Sequence, residues 1–229
     1  MLEELLKMFR KESLLDQSYE TTVTMLETDE EMFLASVNSL RHLDSAKLPF
    51  DIYEKDKMIN KFEREVRRNV LTHLTISENK NVGIGLVLIS IVIDVERIGD
   101  YTKNIAELAV AHPARLEGGD LEDTLVEVED RVKIRFRELV KSLLDKDVEL
   151  ARRIMSEHRD VSGKCDLALN EILLGKDESL TAPDAVALAL YFRYLKRIAS
   201  HLTNIASAVI NPFPRIGFRE KPKGDNKPS

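Results

Sequence analysis

Hydrophobic residues recur every three to four positions over long stretches of this chain, the spacing that places them on one face of an α-helix. Short polar stretches with proline, glycine or a capping residue separate these stretches. The clearest helix covers residues 51–74, because Asp51 is a favoured N-cap and Glu54 stands three residues later, as in a capping box. The pattern predicts an all-α protein.

The remaining helices follow from similar signals. A proline disfavours helical geometry in the residue before it, so Pro113 ends one long segment. Thr181 is a further cap, with Pro183 in the tolerant first turn of its helix. The first helix rests only on the spacing of Met25, Phe33, Val37 and Leu40. The other predicted helices cover 79–111, 121–144, 147–174 and the stretch that follows Thr181.

An internal repeat organises these helices. Residues 97–106, RIGDYTKNIA, align at an offset of one hundred with residues 197–206, RIASHLTNIA, and five of the ten positions are identical. Both copies lie on the third helix of their half. The repeat predicts two tandem three-helix bundles with antiparallel helices, residues 1–116 and 117–211, joined near Gly118-Gly119.

The two ends of the chain differ from the repeats. Residues 1–10 place Leu2, Leu5, Leu6 and Phe9 on one helical face, which we expect to pack on the first bundle or to form a homodimer. Residues 212–229 are basic and rich in proline, so we expect a disordered tail that aids solubility. Contact with an anionic membrane surface or with an acidic partner is the alternative.

Composition narrows the function classes. The net charge of −6 argues against nucleic acid as the ligand, since binding to phosphates needs a cationic surface. The longest apolar stretch, residues 82–93, is shorter than the ~18 residues of a membrane span. The chain begins with an acidic amphipathic segment, and its single cysteine, Cys165, is interpreted as an inert thiol. We therefore expect a cytoplasmic protein that reaches membranes only through partners.

Enzyme chemistry also lacks a sequence signature. We find neither a glycine-rich phosphate loop nor the Glu-x-x-His ligands of a di-iron bundle, because Glu157 and His158 are adjacent. No nucleophile stands out with a base beside it. The sequence favours a protein that is not an enzyme.

Residues 94–107, DVERIGDYTKNIAE, resemble the signature of the PhoU (phosphate-uptake regulator) family. Residues 193–206 resemble it in a degraded form. The resemblance covers about 14–211, and it implies a regulator of phosphate uptake and phosphate-starvation signalling. Such a regulator would act by contact with phosphate transporter components and a sensor histidine kinase. Some relatives are fused to sodium–phosphate symporters, so an accessory role for such a symporter stays open.

The resemblance also implies a metal site in the first repeat. Family members bind iron or zinc through acidic pairs four residues apart, and Glu96 with Asp100 fits this spacing. The second helix would add Asp56 and the amide of Asn60, where the family has another acidic residue. Oxygen ligands of this kind suit hard or borderline cations.

An alternative interpretation needs no metal. Glu96 and Asp100 share a helix face, and Lys103 is close enough along the helix to neutralise Asp100 on a solvated acidic surface. The protein would then be a metal-free helical adaptor. The second repeat has Lys196 and Ser200 at the two acidic positions, so we expect no metal site there.

Overall fold

The computed structural model describes residues 13–77, 81–112 and 114–220. This part of the chain forms six long α-helices and two short 3-10 turns, without β-strands. The chain divides into two compact units between Glu117 and Gly118, one residue beyond the boundary expected from the repeat. The helices are α1 Leu14–His42, α2 Ile52–Ile76, α3 Val82–Ala111, α4 Glu122–Asp145, α5 Val148–Leu173 and α6 Ala182–Ile210.

Local capping chemistry sets most of the helix starts. Asp51 caps α2 by accepting hydrogen bonds from the backbone N–H groups of Tyr53 and Glu54. The Glu54 carboxylate, which was expected to bond back to the cap, accepts instead from Lys57 Nζ at 2.6 Å. Thr181 and Asp184 form a complete capping box at the start of α6. The predicted all-α fold is confirmed, with helix ends within a few residues of those expected.

The first unit packs α1, α2 and α3 around an apolar core. Its loop after α3 is tied to the end of α1, because Leu116 N–H donates to the Leu40 carbonyl at 2.8 Å. The buried Arg41 donates to the Leu116 carbonyl from the same helix end. These bonds hold α1 and α3 parallel, with α2 antiparallel to both.

The second unit repeats this plan with α4, α5 and α6. Buried positions of α1 recur on α4 at an offset of 103 residues. The matched pairs are Met25 and Val128, Asp29 and Val132, Met32 and Arg135, Phe33 and Phe136, and Leu40 and Leu143. Cys165 is fully buried in this unit, and burial raises the pKa of its thiol to about 12. That is the inert thiol expected from the sequence.

The disorder expected from residue 212 onward is wrong for residues 212–220. Gly217 N–H donates to Ser207 Oγ at 2.7 Å, and Asn211 Nδ2 donates to the Phe218 carbonyl at 2.6 Å. Arg152 on α5 holds Glu220 through two bonds of 2.7 Å. Composition alone cannot reveal partners that lie on distant helices. Residues 221–229, and the amphipathic residues 1–10, lie outside the described residues.

Candidate functional site

The centre of the first unit holds a buried carboxylate that sequence reasoning missed. Asp29 lies on α1 and is fully buried, and neither of its carboxylate oxygens has a hydrogen-bond partner among the described residues. Burial raises its pKa well above the usual range, and the charges of Glu96, Asp56 and Asp100 raise it further. Asp29 is thus the innermost member of an acidic centre to which all three helices contribute.

A glycine makes room for this carboxylate. A Cβ added to Gly99 on α3 would lie 2.9 Å from Asp29 Oδ1 and 3.1 Å from Ile59 Cδ1, closer than side chains tolerate. Gly99 therefore lets α3 approach α1 and α2 closely at the level of Asp29. A signal for Asp29 was present in the sequence, because it interrupts the apolar stripe four residues after Met25 and four before Phe33.

The predicted metal-site residues surround this centre but are bound to other side chains. Asp56 Oδ1 lies 2.8 Å from Lys103 Nζ, and Asp100 Oδ1 lies 3.2 Å from the same nitrogen. Asn60 Nδ2 donates to the backbone oxygen of Asp56 at 3.1 Å and to its carboxylate at 3.3 Å. Lys103 is therefore the cation that joins the acidic residues of α2 and α3.

Glu96 is less firmly neutralised. Its side chain is 17% exposed, and its nearest cation is Arg97, whose Nε lies 3.6 Å from Glu96 Oε2. Burial raises the pKa of Glu96, as does repulsion from Asp100, while Arg97 lowers it. Arg97 also binds Asp100 Oδ2 at 3.2 Å. Glu96 is the partly exposed acid next to the buried Asp29.

The donor chemistry suits an oxygen-binding cation, yet the present arrangement favours the lysine. Among the described residues, no three acidic, histidine or cysteine side chains converge closely enough to hold a metal ion. The pairing of Lys103 with Asp100 is the one expected if the surface needs no metal. The unpartnered carboxylate of Asp29 is the feature that a cation would satisfy. A metal ion could use Asp56 and Asp100 only after Lys103 had left them.

The second unit has different charges at the corresponding place. Lys196, which aligns with Glu96, binds both oxygens of Asp166 at 2.5 and 2.7 Å. Ser200, which aligns with Asp100, donates to the Lys196 carbonyl. Among the described residues, the acidic centre therefore belongs to the first unit. The two repeats share their buried apolar positions but differ in the charged side chains at this place.

No described helix has enough length and hydrophobicity to span a bilayer. Many of the described charged residues form ion pairs on the helix surfaces, such as Lys55 with Glu31 at 2.6 Å.

Comparison with known proteins identifies the repeat. A family model described as the PhoU domain matches the chain twice, over residues 22–109 and 125–209. The chain is 30% identical over 183 residues to a phosphate-specific transport system accessory protein PhoU homolog of Pseudomonas aeruginosa, covering 76% of this chain and 73% of that protein. It is 26% identical over 203 residues to an uncharacterized protein of Methanocaldococcus jannaschii, covering 84% of this chain. The chain spans only 66% of that archaeal protein's length.

Solved structures show the same fold. The crystal structure of PhoU from Pseudomonas aeruginosa superposes with a TM-score of 0.75 at 22% identity, covering 86% of this chain and 95% of that one. The phosphate transport system regulatory protein PhoU from Streptococcus pneumoniae superposes with a TM-score of 0.67 at 19% identity, covering 86% and 91%. The fold and both repeats thus agree with the sequence matches, and the chain belongs to the PhoU family, with two PhoU domains in tandem.

Proposed function

We propose that this chain regulates phosphate uptake and phosphate-starvation signalling in the cytoplasm, through contact with phosphate transporter components and a sensor histidine kinase. The observation that carries the proposal is the tandem PhoU architecture over most of the chain, shared with relatives named as accessory proteins of phosphate-specific transport. Regulation by contact also agrees with a fold built of long helices whose exposed surfaces carry dense, mixed charges.

We further propose that the acidic centre of the first unit binds iron or zinc. The ligands would be carboxylate oxygens of Glu96, Asp100 and Asp56 and the amide oxygen of Asn60. The buried Asp29 would add negative charge on the core side of the ion. Support comes from the unpartnered Asp29 carboxylate and from the raised pKa of Glu96, since both acids would gain from a nearby cation. Such an ion would stabilise the acidic centre in place of Lys103.

Capture from the native organism tests the contact. The tagged full chain, expressed at its normal level, should enrich subunits of the phosphate-specific transport system from solubilised membranes at least about tenfold over subunits of an unrelated transporter. Enrichment of a sodium–phosphate symporter instead would establish the accessory-subunit alternative. If neither transporter is enriched in phosphate-rich or phosphate-poor cells, the regulator proposal is wrong.

Elemental analysis tests the metal site. Chain purified with a chelator, loaded with iron(II) or zinc and then desalted should retain metal, and the double variant E96A/D100A should retain little. The matched control is D123A/E127A, which removes an exposed acidic pair of the same spacing from α4. Equal metal content in E96A/D100A and the parent would exclude the site. A parent that retains no metal would favour the metal-free adaptor.

A further inference from the structure

The second unit buries a positive charge that has no partner among the described residues. Arg135 on α4 is 1% exposed, and its three guanidinium nitrogens find no hydrogen-bond acceptor in that part of the chain. Burial lowers the pKa of Arg135, as expected for a cation removed from water. A guanidinium carries five N–H donors and stays charged, so leaving all of them unsatisfied in a core is costly.

The carboxylates near Arg135 are already engaged by other cations. Glu157 on α5 lies 3.2 Å from Arg131 Nη1, and Glu138 on α4 lies 2.5 Å from Arg153 Nη2. Asp160 on α5 faces Lys164 at 3.7 Å. Each of these acids therefore has a cation closer than Arg135, which remains as the surplus positive charge of the cluster.

A second unsatisfied group lies within range of the Arg135 charge. His158 on α5 has a buried Nδ1 that finds no hydrogen-bond partner among the described residues. Burial lowers the pKa of the ring, and the positive charges of Arg135 and of Lys196 on α6 lower it further. Lys196 itself pairs with Asp166. Arg135 on α4 and His158 on α5 are thus close enough for their charges to interact, and Lys196 is a second cation near the His158 ring.

Packing does not require this charge. The offset that matches the buried stripes of α1 and α4 places Met32, which is fully buried, at the position of Arg135. The equivalent position of the first unit therefore holds an unbranched apolar side chain, although a shorter one. Lys196 stands where the first unit has Glu96. The position that carries an acidic side chain in the first unit therefore carries a basic one in the second. An acidic centre favours cations, whereas a basic centre favours anions.

We propose that the second unit binds a small tetrahedral oxyanion, inorganic phosphate, between α4 and α5. The Arg135 guanidinium binds two of its oxygens in a bidentate fork, and His158 donates from Nδ1. Arg131 and Glu157 are partly exposed and their charges act on Arg135, so the anion would enter from their side of the helix pair. The evidence for an oxyanion site is the pair of unsatisfied side chains, Arg135 and His158. The choice of phosphate over sulfate rests on the proposed function.

Calorimetric titration of the full chain with sodium phosphate, and separately with sodium sulfate, tests the site at constant ionic strength with chloride as the balancing anion. Phosphate should bind saturably, and the variant R135M should weaken binding at least about tenfold, since a charge-assisted hydrogen bond is lost. Without phosphate, R135M should melt at a higher temperature than the parent, because it removes an unpaired buried charge. Phosphate should raise the melting temperature of the parent but not of R135M.

The matched control is R159M, which removes an exposed arginine from α5 and should change neither property. If R135M does not fold, R135Q removes the same charge with a shorter polar side chain, and the same loss is expected. The site is overturned if the parent binds neither anion, or if the Arg135 variants bind as the parent does. If the parent binds sulfate as tightly as phosphate, the oxyanion site is supported but its assignment to phosphate is overturned. Transporter capture is a separate measurement, so either proposal can fail without the other.

Discussion

Asp29→Asn is expected to raise the free energy of unfolding at pH 7 by about 1–4 kcal/mol, the range by which replacing buried ion pairs with uncharged side chains of similar volume stabilises proteins. The native carboxylate is fully buried, unpartnered and surrounded by Asp56, Glu96 and Asp100. An amide has nearly the same shape, so the contact with Gly99 is kept. Urea denaturation of parent and variant in chelated buffer measures the difference.

The gain should depend on pH in a defined direction. Burial first, and then the neighbouring acids, raise the pKa of Asp29 in the folded state. The parent is therefore destabilised as pH rises above the unfolded carboxyl pKa of about 4 and through the folded value. D29N lacks this group, so its advantage should be small near pH 4 and largest at alkaline pH. Burial and Asp100 still raise the pKa of Glu96 in D29N, whereas the repulsion between Asp29 and Glu96 is lost, which acts in the same direction as the loss of the buried charge.

The control is D44N, since Asp44 is exposed in the loop after α1 and its replacement should change stability little at any pH. If D29N is instead less stable than the parent at pH 8, the carboxylate is held by favourable contacts, and the acidic centre is organised differently from the arrangement described above.

The acidic centre shows what the sequence could predict and what it could not. Spacing within one helix places Glu96, Asp100 and Lys103 near each other, and the pairing of Lys103 with Asp100 was expected on that ground. The bond from Lys103 to Asp56 joins residues 47 positions apart. It depends on the register between α2 and α3, which periodicity does not fix.

The buried charges follow the same logic. Asp29 and Arg135 both interrupt apolar stripes, so the sequence marks them as unusual. Helical periodicity shows that each side chain faces a core, but it does not show whether a hydrogen-bonding or oppositely charged side chain lies beside it there. The tandem fold itself was predictable, because an offset of one hundred residues preserves the apolar face of the third helix in both halves. The packing shared by the two repeats can therefore be predicted from the sequence. The partners of their charged side chains, which differ between the repeats, become known only when the positions of the neighbouring helices are known.

Lys103→Met is expected to lower the free energy of unfolding in chelated buffer by about 2–3 kcal/mol, the range of a lost hydrogen bond to a charged group, because among the described residues Asp56 is left without a cation while Asp100 keeps only Arg97. Burial alone would lower the pKa of Lys103, yet hydrogen bonds to Asp56 and Asp100 hold it above the usual value. The side chain is only 20% exposed, so water cannot easily take over its role. Methionine keeps the apolar stem and removes the charge.

The matched control is K57M, which removes an exposed ion pair with Glu54 on α2 and should cost less than about 1 kcal/mol. If the acidic centre binds metal, the loss in K103M should be reversed by iron(II) or zinc, and its metal affinity should exceed that of the parent, because the ion no longer competes with an ammonium group for Asp56 and Asp100. A K103M chain as stable as K57M would show that Lys103 is not the cation on which the centre depends. A chain that loses stability but gains nothing from metal would show that lysine alone serves this centre, and that the first PhoU domain acts without a metal ion.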